Sequence, residues 1–415
     1  MPVGTMLNTG HITPANIQKQ SFASAIARYQ PNGTAKLLAL SSMMKRETAI
    51  NTVHGYFAKS MVFPTVVSHG STILAATTTI TVASTANIIP GMVLRVGAGS
   101  FENLLVVSIT NATTFVVQRA FGNVVAADIP ATTTLYMVGT AYEEASNRPL
   151  PYSLDTVAVE NYTQIFRNSW AVSGSAAAVQ VIAGQKVDSE SKMDCMTFHG
   201  RDIEFMAIYG QRKTTTGPNG KPIRAAEGIY GNLNRNASGN IVALGSTTSY
   251  TQLENALDKC FDTAVDGIAS DERILFVGGV ARRVINNIGR LNSDGSGWSV
   301  SSGETMFGLK FESFKCARGT FHLIEHPLLN AYGPTAPQAA TAIALHLPTV
   351  NFAYLGGRDT KAESYGLGGS VTQGSATDQS GVDAMGGSLT SELTMQFKNP
   401  SANAIVTGFT AAAVG

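Results

Sequence analysis

Charge is scarce in this chain. Only 14% of its 415 residues are Asp, Glu, Lys or Arg, well below the roughly 25% of an ordinary soluble domain. The formal net charge is +1, so no overall field draws the chain onto DNA or an anionic membrane. Cysteine is nearly absent. Cys195, Cys260 and Cys316 lie far apart, form no C-x-x-C pair and no zinc spacing, and read as thiols in a reducing compartment. No apolar run approaches the ~18 residues of a spanning helix. Residues 1–20 lack a basic segment followed by an apolar one, so no secretion signal is expected.

Catalytic signatures are missing too. There is no G-x-S-x-G elbow, no G-x-x-x-x-G-K-[ST] loop and no G-x-G-x-x-G after a strand. Gly217, Gly220 and Lys221 lack the first glycine and the Ser/Thr of a phosphate loop and read as a turn. His322, Glu325 and His326 match H-x-x-E-H, but the flanks read as a strand ending at Pro327. On a strand the histidines would stand ~13 Å apart, too far for one metal. No metal site, cofactor or enzymatic activity is expected. Arg282, Arg283 and Arg290 share a helical segment, which reads as a solvated or interface-facing surface before it reads as a nucleic-acid contact. Cys195 and Cys260 sit among apolar helix positions, as inert core thiols do.

What the chain has instead is Thr, Ser, Asn, Gln and 41 glycines as polar cover, with 44% hydrophobic residues. Such a surface suits burial against other protein, because few charges need desolvation. It suits a β-rich protein with Thr/Ser cover equally well.

Along the chain, residues 1–62 read as an arm with one short helix near 21–29. From Pro64 to about Arg148 the sequence is Thr/Val/Ala-rich and almost free of charge. Strands are predicted at 78–83, 92–96, 104–109 and 114–118, with turns at Asn87, Pro90-Gly91, Asn111 and Gly122-Asn123. That spacing suggests a small β-barrel or sandwich. Residues 155–173 are β-branched and aromatic and read as a long extended segment or hairpin. A long helix is predicted over 188–213, capped by Asp188 or Ser189 and closed by Arg212 and Lys213. Residues 214–245 read as turns. A helix then starts at the capping box of Ser249 and Gln252, with a stripe of Leu253, Ala256, Leu257, Cys260, Phe261, Ala264 and Val265. A buried strand at 274–277 and a helix carrying Val280, Val284, Ile285 and Ile288 follow. Two strands joined at Arg318-Gly319 are predicted within 310–329, and a Gly/Ser/Thr-rich loop over 366–387. In 389–398 the odd positions Leu389, Leu393, Met395 and Phe397 are apolar and the even ones polar, before a last strand at 404–409.

Several stretches, in this order, carry a resemblance. They are 161–167 (Asn-Tyr-Thr-Gln-Ile-Phe-Arg), 172–179 (Val-Ser-Gly-Ser-Ala-Ala-Ala-Val) and Gly184. Then come 201–210 (Arg-Asp-Ile-Glu-Phe-Met-Ala-Ile-Tyr-Gly), 224–231 (Arg-Ala-Ala-Glu-Gly-Ile-Tyr-Gly) and 393–404 (Leu-Thr-Met-Gln-Phe-Lys-Asn-Pro-Ser-Ala-Asn-Ala). Together they resemble the major capsid proteins of tailed bacteriophages, which share the Johnson fold with herpesvirus coat proteins. Residues 102–107 and 116–122 look similar to a small β insertion found in one branch of that family. The resemblance covers 150–415 well and the arm weakly.

The resemblance implies an α+β capsid fold with named parts. Residues 1–63 would be the N-terminal arm and 64–148 an inserted β-rich domain. Residues 149–187 would be the extended loop. Residues 188–224 and 351–415 would form the peripheral domain with its spine helix, and 225–350 the axial domain. It implies a homo-oligomer of hexamers and pentamers in a virion shell around packaged DNA, assembled in the host cytoplasm. A scaffolding protein and a portal are the implied partners, with a decoration protein an optional third and no membrane. Val157, Val159, Tyr162, Ile165, Phe166, Arg167 and Trp170 would form the assembly surface of the extended loop, and Arg201, Asp202 and Glu204 mark the spine helix. Some family members crosslink through a lysine in that loop. Residues 151–185 contain no lysine, so that chemistry is not expected from this loop. The competing expectation is a secreted or surface-array β-rich adhesion protein, supported by the Thr/Val-rich segment.

Overall fold

The computed structural model describes residues 46–59, 63–97, 101–149, 155–179, 186–245, 247–265, 268, 271–291, 301–306, 309–365 and 384–410. Most of the expected arm, its helix at 21–29 and most of the loop at 366–387 lie outside these residues. Strands β1 (Arg46–Ala49), β2 (Val53–Ala58), β3 (Thr65–Val67), β4 (Thr79–Thr81), β5 (Met92–Val96), β6 (Asn103–Ile109), β7 (Thr114–Gln118) and β8 (Thr134–Thr140) come first. Next come β9 (Val157–Tyr162), β10 (Gln164–Ser173), α1 (Gly174–Ala178), α2 (Val187–Tyr209), β11 (Lys213–Thr216), β12 (Pro222–Ala225), α3 (Ile229–Asn236), β13 (Ile241–Ala243) and α4 (Tyr250–Asp258). The chain continues through β14 (Glu272–Val277), α5 (Gly279–Leu291), β15 (Ser301–Met306), β16 (Leu309–Lys315) and β17 (Thr320–Glu325). It closes with β18 (Thr341–Leu345), β19 (Val350–Leu355), β20 (Lys361–Tyr365), β21 (Ala384–Phe397) and β22 (Ala404–Thr407). Two compact units result, residues 57–158 and residues 1–56 with 159–415.

In the unit 57–158 six strands run in the order β3-β8-β5-β6-β7-β4. An antiparallel bridge between Ser68 and Val82, beside β3 and β4, joins the two ends of this path. The sheet therefore closes into a barrel and leaves little open edge. Alternation puts Val66, Ile80, Leu94, Leu104, Val106, Phe115, Val117 and Leu135 inside it. One ion pair is buried here. Glu102, fully buried, accepts from Arg119 Nε at 2.9 Å and Nη2 at 2.8 Å and from the Ala120 amide at 2.7 Å. Burial pushes the Glu102 carboxyl up, but the Arg119 and backbone hydrogen bonds outweigh it and hold it below its ordinary value.

In the other unit two sheets share one core. The sheet β13-β22-β18-β14-β17-β16-β15 is mixed, with β14 parallel to β17 and antiparallel to β18. Its central strands are apolar on both sides. Ile274, Phe276, Ile324, Ile343 and Ile405 face one core, while Leu275, Val277, Leu323, Ala342 and Val406 face another under α4 and α5. Strands covered on both faces lose the polar alternation of a half-exposed sheet. The second sheet runs β1-β19-β21-β10, with β20 also paired to β21. Ile203, Met206 and Ala207 of α2 join Phe166, Leu393 and Met395 in the shared core.

Several elements differ from expectation for local reasons. Helix α2 ends at Tyr209, so Arg212 and Lys213 do not serve its C-terminus, and its N-cap is Lys186 without a side-chain cap. The stop is steric. A Cβ at Gly210 would meet Met206 O at 2.5 Å and Ala226 O at 2.6 Å, where the 226–228 backbone crosses. Helix α4 keeps its capping box but ends at Asp258, leaving Ala264 and Val265 beyond it. Arg318 holds the chain there, donating to Asp262 Oδ1 at 2.6 Å and Phe261 O at 3.0 Å. The expected turns at 214–245 contain the β11–β12 hairpin, α3 and β13. In β21 the even positions Glu392, Thr394 and Gln396 are as buried as the odd ones.

Candidate assembly surface

Strand β10 is where the sequence and the structure meet. Its ten residues pair with β21, from Gln164 opposite Leu393 to Ser173 opposite Ala384. Alternation sends Phe166, Asn168, Trp170 and Val172 to one face and Ile165, Arg167, Ser169 and Ala171 to the other. Helix α2 packs on β10. Phe166, expected on the assembly surface, is instead a core side chain at 6% exposure. Trp170 is half-buried, its Nε1 standing 2.8 Å from where a Cβ of Gly387 would lie. Ile165 is 49% exposed, Val157 63%, and Arg167 is exposed. Val159 is partly buried, and Tyr162 lies under the Arg212 guanidinium at 4.5 Å. Among the described residues β10 is the last strand of its sheet, so its outer backbone edge has no partner strand.

A polar chain ties β10 to α2 and β21. Asn168 Nδ2 donates to Asp202 at 2.9 Å, which turns its carbonyl oxygen toward His199 Nδ1 at 2.7 Å. His199 Nδ1 therefore carries the hydrogen, and Nε2 accepts from Ser391 at 2.8 Å. Burial holds His199 below its ordinary value against the opposing pull of Asp202, in keeping with a neutral ring. Arg201, next to Asp202 and bonded to it at 3.0 Å, is exposed and covers Phe198 at 4.9 Å. Beside it on the outer side of α2, Met193 and Met196 are 41% and 56% exposed.

Glu204 points the other way, into the molecule. It meets His326 Nε2 at 2.9 Å, with both side chains at or below 1% exposure. His322 instead stands 3.8 Å from Glu272 at the surface, so the two histidines of the H-x-x-E-H pattern have separate carboxylate partners. The three thiols are unpaired, and burial pushes Cys260 up to about 12.

Two further polar anchors had no sequence signal. Asn161 imitates a strand partner: its Oδ1 accepts from the Glu227 amide at 2.8 Å, and its Nδ2 donates to Glu227 O and Met395 O, both at 2.9 Å. Gly228 lies in the same crossing, where a Cβ would meet Met206 O at 2.2 Å, so only glycine fits. Glu392, 2% exposed, accepts from Thr163 at 2.8 Å and pairs with Arg358 and, at 3.7 Å, Arg224. These contacts hold the stretches 161–167 and 224–231 against the closing strand.

The arrangement is one of positioning: buried polar pins hold an exposed strand face, a strand edge unpaired among the described residues, and the exposed apolar side chains of α2. Residues 5–410 match the model of the family described as SU10 major capsid protein. The chain belongs to the SU10 major capsid protein family. A major capsid protein of Pseudomonas phage PaMx41 is 36% identical over 402 residues, covering 96% of this chain and 94% of that one. Membership in this capsid family makes the chain a structural component of the virion, the protein of the phage head shell, and not an enzyme. It also makes the shell a homo-oligomer. Among solved structures, a chain of Mycobacterium phage Cain is similar with a TM-score of 0.45 and 10% identity, covering 99% of this chain and 100% of that one. An encapsulin of Synechococcus elongatus PCC 7942 has a TM-score of 0.41 and 11% identity, covering 61% and 77%. The family assignment rests on sequence.

Proposed function

We propose that this chain builds an icosahedral head shell from hexamers and pentamers, in the Johnson fold of tailed-phage coat proteins. Residues 1–63 act as the arm, 64–148 as an inserted barrel domain and 149–187 as the extended loop. Residues 188–224 with 351–415 form the peripheral domain, and 225–350 the axial domain. The observation that carries the reading is the outward side of β10, with Ile165 and Arg167 exposed beside an unpaired strand edge among the described residues. A shell protein of low charge desolvates such a face at little cost. A separate scaffolding protein directs closure and a portal occupies one vertex, with a decoration protein an optional further partner. The DNA inside is enclosed without sequence-specific contact.

Negative-stain electron microscopy of the chain expressed in a bacterium tests this. Closed shells or ring-shaped capsomers are expected. A chain that stays monomeric both alone and with its phage's scaffolding protein overturns the proposal.

A further inference from the structure

Between α3 and the 211–214 stretch that follows α2, the surface sinks into a recess of about 500 Å³, outside the β10 face. Tyr162, Arg212, Lys213, Glu227, Tyr230 and Arg235 line it. Its charges are not balanced. Glu227 is buried and bound on both oxygens by Arg235, at 3.0 and 2.6 Å. Arg212 lies over the Tyr162 ring, and its Nη2 reaches Glu160 at 3.5 Å. Three cations thus face two carboxylates, and the cation left over is Lys213. Its side chain is exposed and has no partner among the described residues. The neighbouring Gln211, Tyr230 and Asn234 side chains are exposed at the rim and equally free. The recess offers an ammonium, amide N–H groups and a phenol to whatever enters, between two aromatic rings.

We propose that this recess is a socket for an acidic side chain of a second copy of the chain, which docks on Lys213. The inference rests on the shell reading, which places many copies side by side. A point-like ammonium suits a single carboxylate. Tyr162 and Tyr230 add the amphipathic lining typical of interface cores. DNA fits poorly, because a phosphate backbone needs several free cations in a row and this recess has one. The chain itself supplies the acid: Glu143 and Glu144 are adjacent, exposed and without side-chain partners among the described residues.

Zero-length crosslinking tests the socket. Shells are assembled from equal amounts of ¹⁵N-labelled and unlabelled chain and treated with a carbodiimide, which joins a lysine amine to a carboxylate in contact with it. Mass spectrometry should find Lys213 linked to an Asp or Glu, with mixed-isotope pairs showing that the link crosses between copies. Lys213→Glu should lower shell yield at least tenfold at low salt. Lys213→Arg should stay within about twofold, and both variants should keep the unassembled chain's melting temperature. Wild-type shells in which Lys213 is unlinked, or linked only within one copy, overturn the socket and leave the shell reading standing. So does a Lys213→Glu variant that assembles at the wild-type yield. Protection of Lys213 from acetylation by duplex DNA would also overturn it, by assigning the recess to phosphate. A wild-type chain that forms no particles overturns the shell reading and the socket together.

Discussion

Glu204 of α2 and His326, just after β17, meet at 2.9 Å in a place closed to solvent, although 122 residues separate them in sequence. The contact joins the long helix to the seven-stranded sheet at the edge of the shared core. Phe276 packs edge-on against the same imidazole, with ring centroids 5.3 Å apart.

Breaking this pair should be costly. Either His326→Ala or Glu204→Ala leaves a polar partner buried without its bond and should destabilise the unassembled chain by about 3 kcal/mol. Arg201→Ala removes an exposed pair and should cost under about 1 kcal/mol. Urea denaturation followed by tryptophan fluorescence measures both. Costs under about 1 kcal/mol at the buried pair would mean that the contact does not stabilise the fold.

The two faces of β10 should behave oppositely. Phe166→Ala opens a cavity in the core and should cost about 3–5 kcal/mol. Ile165→Asp, on the exposed face, should leave stability within about 0.5 kcal/mol and block shell formation. Sedimentation of the assembly reaction and thermal melts separate the two.

Acid should weaken the fold through His199. Its folded value lies below the ordinary one, so the unfolded chain binds the proton more readily. The stabilising contribution is complete above the unfolded value of about 6.5 and is lost as pH falls from there toward the folded value. Urea midpoints at pH 8 and pH 5.5 should differ in the wild type. They should differ less in His199→Asn, where no ring can charge against Asn168 and Ser391. An unchanged pH dependence in the variant would place the titration elsewhere.

Shell strength should be noncovalent. Residues 151–185 hold no lysine, and the thiols at Cys195 and Cys260 are buried and unpaired. Mature particles boiled in detergent without reductant should run as one band near 43.5 kDa. A ladder that survives boiling and reductant would reveal a crosslink from another residue.

Local chemistry alone settled part of this molecule. The Ser249–Gln252 capping box starts α4 where its side chains require, because both bonds of the box lie within four residues. The β16–β17 pair turns at Arg318 and Gly319, where a Cβ would strike Phe261 at 2.5 Å. Alternation in β21 grouped Leu393, Met395 and Phe397 on one face. It could not show that the other face is also covered. Glu392 is buried because Thr163, Arg358 and Arg224, distant in sequence, converge on it, and Gln396 because Gly55 O accepts its amide at 3.2 Å. Phe166 follows the same rule. A period of two says which side chains share a face, but only packing against α2 decides which face is the core. Glu204 and His326 needed both sheet and helix in place before either could be buried with a partner. Sequence fixes what each segment can form, while burial of its polar groups depends on partners that only the assembled tertiary structure brings within reach.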